Sequence, residues 1–281
     1  MDCPQCKNAN EPEALFCAWC GTSLAAPEAD AALAEAAPQP EDGGALRPRT
    51  ATELVADTFR VYANNPAPFL VIAFLAQTPT LAAGVTPAPL SWLFAAAGFL
   101  FLMLAAGPMV HATAQVALAR EVRLEVCFTR AWERVANLLV ATVIVMLLIV
   151  ASAILSLAIV GIPVLVYLIV VLYFYVQPIM LEGYQGVEAL GRSRELVRGS
   201  WWRVFGIGLL LLLVIVAVTA LISIPGFALA GLSENVGQFY FSAVAVVTMP
   251  IMPIGGTLMY FDLRVRKEGY TLAQLQADVG A

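Results

Sequence analysis

Residues 138–159 read LLVATVIVMLLIVASAILSLAI and contain no charged side chain. A helix needs about 20 apolar residues to cross the roughly 30 Å hydrocarbon core of a bilayer, since each residue advances it by about 1.5 Å. This stretch therefore predicts a membrane-spanning helix. Similar stretches on both sides of it raise the expected number of spans to six, at residues 67–86, 91–117, 138–159, 162–181, 204–223 and 238–261.

The composition of the whole chain agrees with a membrane protein. Of the 281 residues, 60% are hydrophobic and 12% are charged, whereas soluble domains have roughly 45–50% apolar and 25% charged residues. These values exclude a soluble enzyme and a disordered chain. The net charge of −5 also excludes a basic nucleic-acid-binding protein.

The positive charges predict the orientation of the spans. All 15 Lys and Arg residues lie before the first span, between the second and third, between the fourth and fifth, or after the sixth. The opposite segments, at residues 84–90, 161–163 and about 224–237, contain none. Because cytoplasmic loops carry an excess of Lys and Arg, both termini are expected to be cytoplasmic.

A short amphipathic segment precedes the first, third and fifth spans, at residues 53–62, 124–135 and 187–201. Each places apolar residues at helical spacing, which indicates a helix lying in the inner membrane interface. Thr50 and Glu53 have the spacing of a capping box at the start of the first segment. The predicted fold is all-α: a polytopic six-helix transmembrane bundle of three interfacial-helix plus hairpin units. Three such units suggest pseudo-threefold symmetry, with packing without symmetry as the alternative.

Four of the five cysteines lie close together, in the pairs Cys3/Cys6 and Cys17/Cys20. Two such CxxC knuckles supply the four thiolates that a structural Zn²⁺ prefers. A pair of disulfides would require an oxidising compartment, which the predicted topology does not provide, and a redox motif would explain one CxxC but not two. One structural Zn²⁺ is therefore expected. Its four ligands would close the site to hydrolytic chemistry.

The expected domains follow from these patterns. Residues 1–24 form a zinc ribbon, residues 25–49 a disordered Ala/Pro/Glu linker, residues 50–275 the membrane domain and residues 276–281 a tail. The linker is expected to tether the ribbon without fixing its orientation. The ribbon and linker are acidic, so a protein is the expected partner of the ribbon and nucleic acid is not. A ribbon that only caps the chain, without a partner, is the alternative.

Two parts of the chain resemble known families. CPQC through CAWCG, residues 3–21, resembles the small zinc ribbon at the N-terminus of many prokaryotic membrane and regulatory proteins, with Lys7 where Gly is usual. QPIMLEG (177–183), ALGRSRELVRGSWWRVFG (189–206) and PIGGTLMYFDLRVRKEG (253–269) resemble the membrane domain associated with some bacterial glycerophosphoryl diester phosphodiesterases. The second resemblance implies a six-span domain of the bacterial cytoplasmic (inner) membrane. It does not imply phosphodiesterase activity, because the catalytic barrel has no counterpart here.

The sequence offers candidate sites inside and beside the membrane. His111, Gln115 and Gln77 are candidates for an intramembrane polar site, although a buried His also serves as a structural hydrogen-bonding group. Glu182 and Asp262, at the ends of two spans, are expected to form anchoring ion pairs, with a role as proton carriers as the alternative. No catalytic constellation is visible. The remaining candidates would contact lipid headgroups: Arg192, Arg194, Arg198, Arg203, Trp201 and Trp202.

The function expected from the sequence is that of a non-catalytic integral membrane protein. It would engage lipids or partner proteins as a scaffold or regulatory module, with the zinc ribbon as its cytosolic contact head. A transporter or lipid-handling protein, using proline-interrupted spans around a polar path, is the alternative.

Overall fold

The structure, a computed structural model, describes residues 2–11, 14, 17–20, 24, 46–87, 90–156 and 161–280. The central part of the predicted linker, residues 25–45, lies outside the described residues. Within the described ranges the chain forms helices and no strand. In chain order they are α1 Ala51–Asn64, α2 Pro66–Val85, α3 Leu90–Leu104, α4 Ala106–Ala117, α5 Leu124–Glu133, α6 Val135–Leu155, α7 Gly161–Val171, α8 Gly186–Val197, α9 Trp201–Leu232, α10 Glu234–Thr248, α11 Ile251–Glu268 and α12 Leu272–Gly280.

Five helical segments are long and apolar enough to cross a membrane: Pro66–Ala83, Leu90–Ala117, Val135–Leu155, Trp201–Gly231 and Val236–Glu268. The helical class and the membrane character predicted from the sequence are thus confirmed. The described residues do not confirm a sixth span, because the helix in its place, Gly161–Val171, is too short. Large apolar side chains cover the outer faces of these helices, as expected for surfaces in contact with lipid.

The three predicted amphipathic segments are helices α1, α5 and α8. The capping box of α1 is formed as expected: the Glu53 N–H donates to Thr50 Oγ1 at 3.3 Å, and the Thr50 N–H donates to Glu53 Oε2 at 2.7 Å. Each amphipathic helix is followed by a pair of helices that pack closely on each other, α2/α3, α6/α7 and α9/α10. The order of helices therefore follows the predicted unit, whereas threefold symmetry stays a prediction.

The predicted fourth span, residues 162–181, is interrupted. Helix α7 ends at Val171, and the chain passes through turns into one turn of π-helix, Pro178–Glu182. Pro178 has no N–H to continue a helix, and its ring clashes with the preceding turn. Ser193 of α8 fills the gap: its hydroxyl donates to the Val171 carbonyl at 2.7 Å and accepts from the Phe174 N–H at 3.1 Å. These bonds satisfy backbone groups that the helix leaves free.

Proline also interrupts the second and sixth predicted spans. Helix α3 ends at Leu104 and α4 begins at Ala106, where Pro108 in the first turn removes one helical hydrogen bond. Helices α10 and α11 are separated at Met249 and Pro250. Pro79 does not interrupt α2, because the Thr78 hydroxyl donates to the Leu75 carbonyl that the proline leaves free, at 2.7 Å.

The boundaries of the fifth span and of the tail differ from the prediction. Helix α9 runs to Leu232 and α10 starts at Glu234, so the segment expected as a loop at about 224–237 is largely helical. Tyr240 donates to the Ile222 carbonyl at 2.7 Å, one turn before Pro225, which lies inside α9. Residues 276–280, expected as a tail, belong to α12, because Val279 is buried with the rest of its apolar face.

Two buried helices, α4 and α11, form the centre of the bundle and pack against each other. Helices α1, α8 and α9 also pack against α11. Tyr260, Phe261 and Ile254 of α11 are completely enclosed. Near its C-terminal end α11 also buries charged residues. We call this region the charged end of the bundle, defined by Glu182, Arg192, Arg203, Asp262, Arg264 and Arg266.

Candidate metal centre and charged end of the bundle

The four predicted ligands Cys3, Cys6, Cys17 and Cys20 lie together, with all sulfur atoms within 4.8 Å of one another. The Sγ atoms of Cys3 and Cys20 are 3.6 Å apart, and those of Cys6 and Cys17 are 3.5 Å apart. A disulfide would require about 2.05 Å. Four thiolates at about 2.3 Å from a tetrahedral ion lie about 3.8 Å from one another. The observed spacing therefore fits a shared metal ion and not two disulfides.

The first knuckle is a tight turn that places Lys7 in a left-handed conformation, with φ at 57°. The Lys7 N–H donates to the Cys3 carbonyl at 2.9 Å, and the Cys3 N–H donates to the Asn8 carbonyl at 3.0 Å. Glycine adopts this conformation without a steric penalty, whereas a residue with a Cβ does not. The turn therefore explains why Gly is usual here in similar ribbons, and why Lys7 is an unfavourable choice.

Asn10 holds the second knuckle, a role that the spacing of the cysteines does not reveal. Its Oδ1 accepts from the Ala18 N–H at 2.9 Å, and its Nδ2 donates to Cys17 Sγ at 3.5 Å. Burial opposes ionisation of Cys17, but the N–H groups of Cys20 and Trp19 and the Asn10 amide outweigh it and lower the pKa of the thiol to about 6. These donors favour the thiolate, which is the form that binds metal.

Arg266 of α11 joins the ribbon to the bundle. Its guanidinium is 3% exposed, donates from Nη1 to the Cys17 carbonyl at 3.0 Å and from Nη2 to the Arg49 carbonyl at 2.8 Å. Its Nε pairs with Asp262 at 3.0 Å. The ribbon was expected to have no fixed orientation relative to the membrane domain. The structure instead ties the backbone of a predicted metal ligand to a buried side chain of the central helix.

Asp262 is the centre of this group and is completely buried. It accepts hydrogen bonds from the side chains of Arg266 and Arg203, the latter at 2.9 Å, and from the Arg49 N–H at 2.6 Å. Two guanidinium groups thus share one carboxylate, which leaves an excess positive charge. The carbonyl oxygens of Arg49 and Cys17 accept further hydrogen bonds from these two guanidinium groups. Polar groups of the protein thus take the place of water around the buried charges.

A second group of charges lies beside the first, around Glu182 at the end of the turn of π-helix. Arg192 pairs with Glu182 at 3.0 Å and with Glu268 at 2.6 Å. Arg264 pairs with Glu268 at 3.0 Å and with Asp278 of α12 at 2.9 Å. The ion pairs expected for Glu182 and Asp262 are therefore present. Arg264 of this second group also anchors the C-terminal helix α12 through Asp278.

The structure divides the four arginines that were expected to contact lipid headgroups. Arg192 and Arg203 are mostly buried in the two groups of ion pairs, and their positive charges are matched within the protein. Arg194 and Arg198 are exposed and line a cavity of about 670 Å³ together with Tyr167 and Trp201. Among these four arginines, only Arg194 and Arg198 face outward, so the headgroup contact stays a prediction for this pair alone. Trp202, of which 64% is exposed, points away from the core.

The structure does not join His111, Gln115 and Gln77 into one polar site. Gln115 Oε1 accepts from the Arg123 N–H at 2.8 Å and closes the turn between α4 and α5. His111 is 2% exposed, and neither ring nitrogen has a hydrogen-bond partner among the described residues. Gln77 is half-buried in α2. No hydrogen bond among the described residues connects the three side chains.

Sequence reasoning missed Asn10, Ser193 and the link from Arg266 to Cys17. Short polar residues near a CxxC knuckle and in an amphipathic helix are common, so neither Asn10 nor Ser193 stands out. In the sequence, Arg266 served only as one of the positive charges that predict the orientation of the spans. Its i,i+4 spacing from Asp262 on the same helix was the available signal.

The chain matches no known family profile, and neither curated proteins nor solved structures give a match. The resemblance to the membrane domain associated with glycerophosphoryl diester phosphodiesterases is therefore without support from these comparisons and stays a prediction.

Proposed function

We propose that the protein is a non-catalytic membrane anchor whose zinc ribbon, held at the charged end of the bundle, contacts a protein partner in the cytosol. The hydrogen bond from Arg266 to the Cys17 carbonyl carries this proposal. A buried cation on the central helix limits the positions that the ribbon can take. A partner bound to the ribbon would therefore be held in a defined place relative to the membrane.

Zinc is the metal that the proposed site would hold. Four thiolates with short mutual distances favour a tetrahedral ion that tolerates sulfur, and Zn²⁺ is the commonest such ion. All four positions are then taken by protein, which leaves none for substrate. The metal would serve to fold the ribbon, because so short a segment has little apolar core of its own.

The charges of the ribbon and the bundle are complementary in this proposal. A zinc ion with four thiolates carries a net double negative charge. The Asp262 group has one more positive than negative charge and contacts the backbone of Cys17 through Arg266. Loading the metal would therefore strengthen the attachment of the ribbon, and attachment would strengthen metal binding.

The partner is proposed to contact Trp19, half of whose surface is exposed beside the metal ligands Cys17 and Cys20. A large aromatic side chain on so small a module is typical of a protein-binding site. The sidedness proposed from the positive charges places this face in the cytosol of a bacterial cell, at its inner membrane.

The test combines metal analysis with crosslinking in native membranes. We expect about one zinc per chain in the purified full-length protein, and none in Cys17→Ser. Crosslinked partners should be lost in Cys17→Ser and in Trp19→Ala, while Trp19→Ala keeps its zinc. Trp132→Ala serves as the matched control, because this tryptophan is also exposed but lies on α5.

Two outcomes would contradict the proposal. If the purified protein contains no tetrahedrally bound metal, the ribbon does not have the proposed fold. If Trp19→Ala and Cys17→Ser leave every crosslinked species unchanged, the ribbon caps the chain and binds no partner.

A further inference from the structure

A cavity of about 380 Å³ lies at the place where three of the predicted spans are interrupted. Its walls come from α3, α4, α6, the segment after α7, and the junction of α10 with α11. The lining includes Val110, Ile149, Tyr173, Gln177, Met252 and Gly256. Cavities of this size are in the range of small-molecule sites.

Gly256 lets the ring of Tyr173 pack closely against α11 in the wall of this cavity. A Cβ atom at this position would lie 3.1 Å from both Cε1 and Oη of Tyr173, closer than ordinary contact. The interruption after α7 forms another part of the cavity wall. Its turn at Tyr173–Tyr175 lies between α7 and the turn of π-helix. The bonds of Ser193 to Val171 and Phe174 satisfy the backbone there. The interruption is therefore a stable part of the fold.

One polar group in the wall of the cavity lacks a partner. Gln177 is 5% exposed, and its Oε1 accepts no hydrogen bond from the described residues. A buried amide oxygen without a donor is costly, and in a membrane no bulk water is available to supply one. A ligand with a hydrogen-bond donor would remove this cost.

The lining also restricts the charge of the ligand. Among the residues that the structure describes, no charged side chain lines the cavity, and its walls are mostly apolar. From Pro253 in the wall to Asp262 at the charged end, α11 rises roughly 14 Å, since each helical residue adds about 1.5 Å. A charged headgroup would have to leave the arginines and enter an apolar cavity, which is strongly unfavourable.

We propose that this cavity binds an uncharged lipid of the diacylglycerol class, whose free hydroxyl donates to Gln177 Oε1 once the amide turns toward the cavity. The acyl chains would follow the apolar walls toward the bilayer. A glycerophospholipid has its phosphate at the position where diacylglycerol has its hydroxyl, so it lacks a donor on the acylated glycerol and brings a charge to that position. This site is separate from the zinc ribbon and does not depend on the function proposed for it.

Photo-crosslinking of the full-length protein in nanodiscs tests the proposal. The probe is a diacylglycerol with a diazirine on one acyl chain. Competitors are unlabelled dioleoylglycerol, the same lipid with its hydroxyl methylated, and dioleoyl phosphatidylglycerol. We expect dioleoylglycerol to compete at concentrations about fivefold lower than its methyl ether, the usual contribution of one hydrogen bond. Phosphatidylglycerol should compete more weakly than both.

Two variants and one control locate the site. Gln177→Leu removes the acceptor and Gly256→Val should displace Tyr173 within the cavity wall, so both should reduce labelling about fivefold or more. Gln77→Leu is the matched control, because Gln77 lies in a membrane helix but not in the cavity wall. Thermal unfolding checks folding: Gln177→Leu removes an unpaired acceptor and should not lower the melting temperature.

Three results would overturn the proposal. One is equal loss of labelling in Gln177→Leu and Gln77→Leu. Another is equal competition by dioleoylglycerol and its methyl ether. The third is labelling that is unchanged in a folded Gln177→Leu.

Discussion

The guanidinium of Arg266 donates a hydrogen bond to the carbonyl oxygen of Cys17 at 3.0 Å. The two residues come from opposite ends of the chain, and the bond is buried. Arg266 is at the same time paired with Asp262. A substitution of this arginine should therefore affect the stability of both the ribbon and the bundle.

Replacing Arg266 should loosen the ribbon. Arg266→Met removes a charged hydrogen bond worth about 1.5–3 kcal/mol, so the metal should be lost to a competing chelator at least tenfold faster. Amide exchange of residues 2–11 should rise in parallel. Arg198→Met is the matched control, because Arg198 is exposed and its side chain lines a different surface. Equal chelation rates in the two variants would mean that the ribbon is stable without the bundle.

Lys7→Gly should stabilise the first knuckle. Lys7 has a φ of 57°, a conformation that costs a residue with a Cβ about 1–2 kcal/mol and costs glycine almost nothing. We expect metal release to slow by about fivefold. Lys7→Ala keeps the Cβ and should show no such gain, which separates the backbone effect from loss of the lysine charge. A similar gain in both variants would point to charge as the cause.

Ser193→Ala should destabilise the interrupted fourth span. The Val171 carbonyl and the Phe174 N–H lose their common partner, and each buried group left without a hydrogen bond costs about 1–3 kcal/mol. The melting temperature in detergent should fall measurably. Ser156→Ala serves as a control, since that hydroxyl binds a carbonyl at an exposed position. An unchanged melting temperature in Ser193→Ala would show that the interruption is satisfied in another way.

The capping box of α1 should make stability depend on pH. The Thr50 N–H, together with Arg47, lowers the pKa of Glu53 from 4.5 to about 2. Since the folded-state pKa is the lower one, the stabilisation is present above about pH 4.5 and is lost as the pH falls toward 2. Glu53→Gln should remove this dependence. Glu125→Gln, in the first turn of α5 without a capping box, should leave the profile unchanged.

Thr50→Ala tests the same cap without a change of charge, and should cost about 1 kcal/mol. If the pH profiles of the wild type and of Glu53→Gln coincide between pH 2 and pH 5, Glu53 does not stabilise α1 through its ionised form.

The arginines of α8 should differ in their contribution to lipid binding. Arg194→Gln and Arg198→Gln should each reduce enrichment of anionic lipid by about fivefold, because a cation near the surface contributes about 1 kcal/mol. Arg192→Gln should leave lipid enrichment unchanged but lower the melting temperature, since it removes one of the two arginines, Arg192 and Arg264, that pair with both Glu182 and Glu268. Native mass spectrometry of the purified protein measures the first effect. A uniform loss of lipid in all three variants would contradict this division.

The sequence by itself determined the elements whose signals are local. Residues 138–159 lack any charge, the segment 124–135 has helical periodicity, and Thr50 and Glu53 have capping-box spacing, so helices α6, α5 and α1 could be predicted. The CxxC spacing likewise brought Cys3, Cys6, Cys17 and Cys20 together correctly. Each of these features depends on neighbours within about 20 residues, and local geometry suffices to specify it.

Only the tertiary structure decided which polar residues face one another. Arg192 and Arg194 look alike in the sequence, yet one is buried between carboxylates and the other lines an exposed cavity. The interruption after Val171 is stable because Ser193 reaches it from another helix, and the ribbon is held because Arg266 reaches Cys17 across the fold. Such pairings are set by the packing of helices distant in the chain, and no periodicity along the sequence records them.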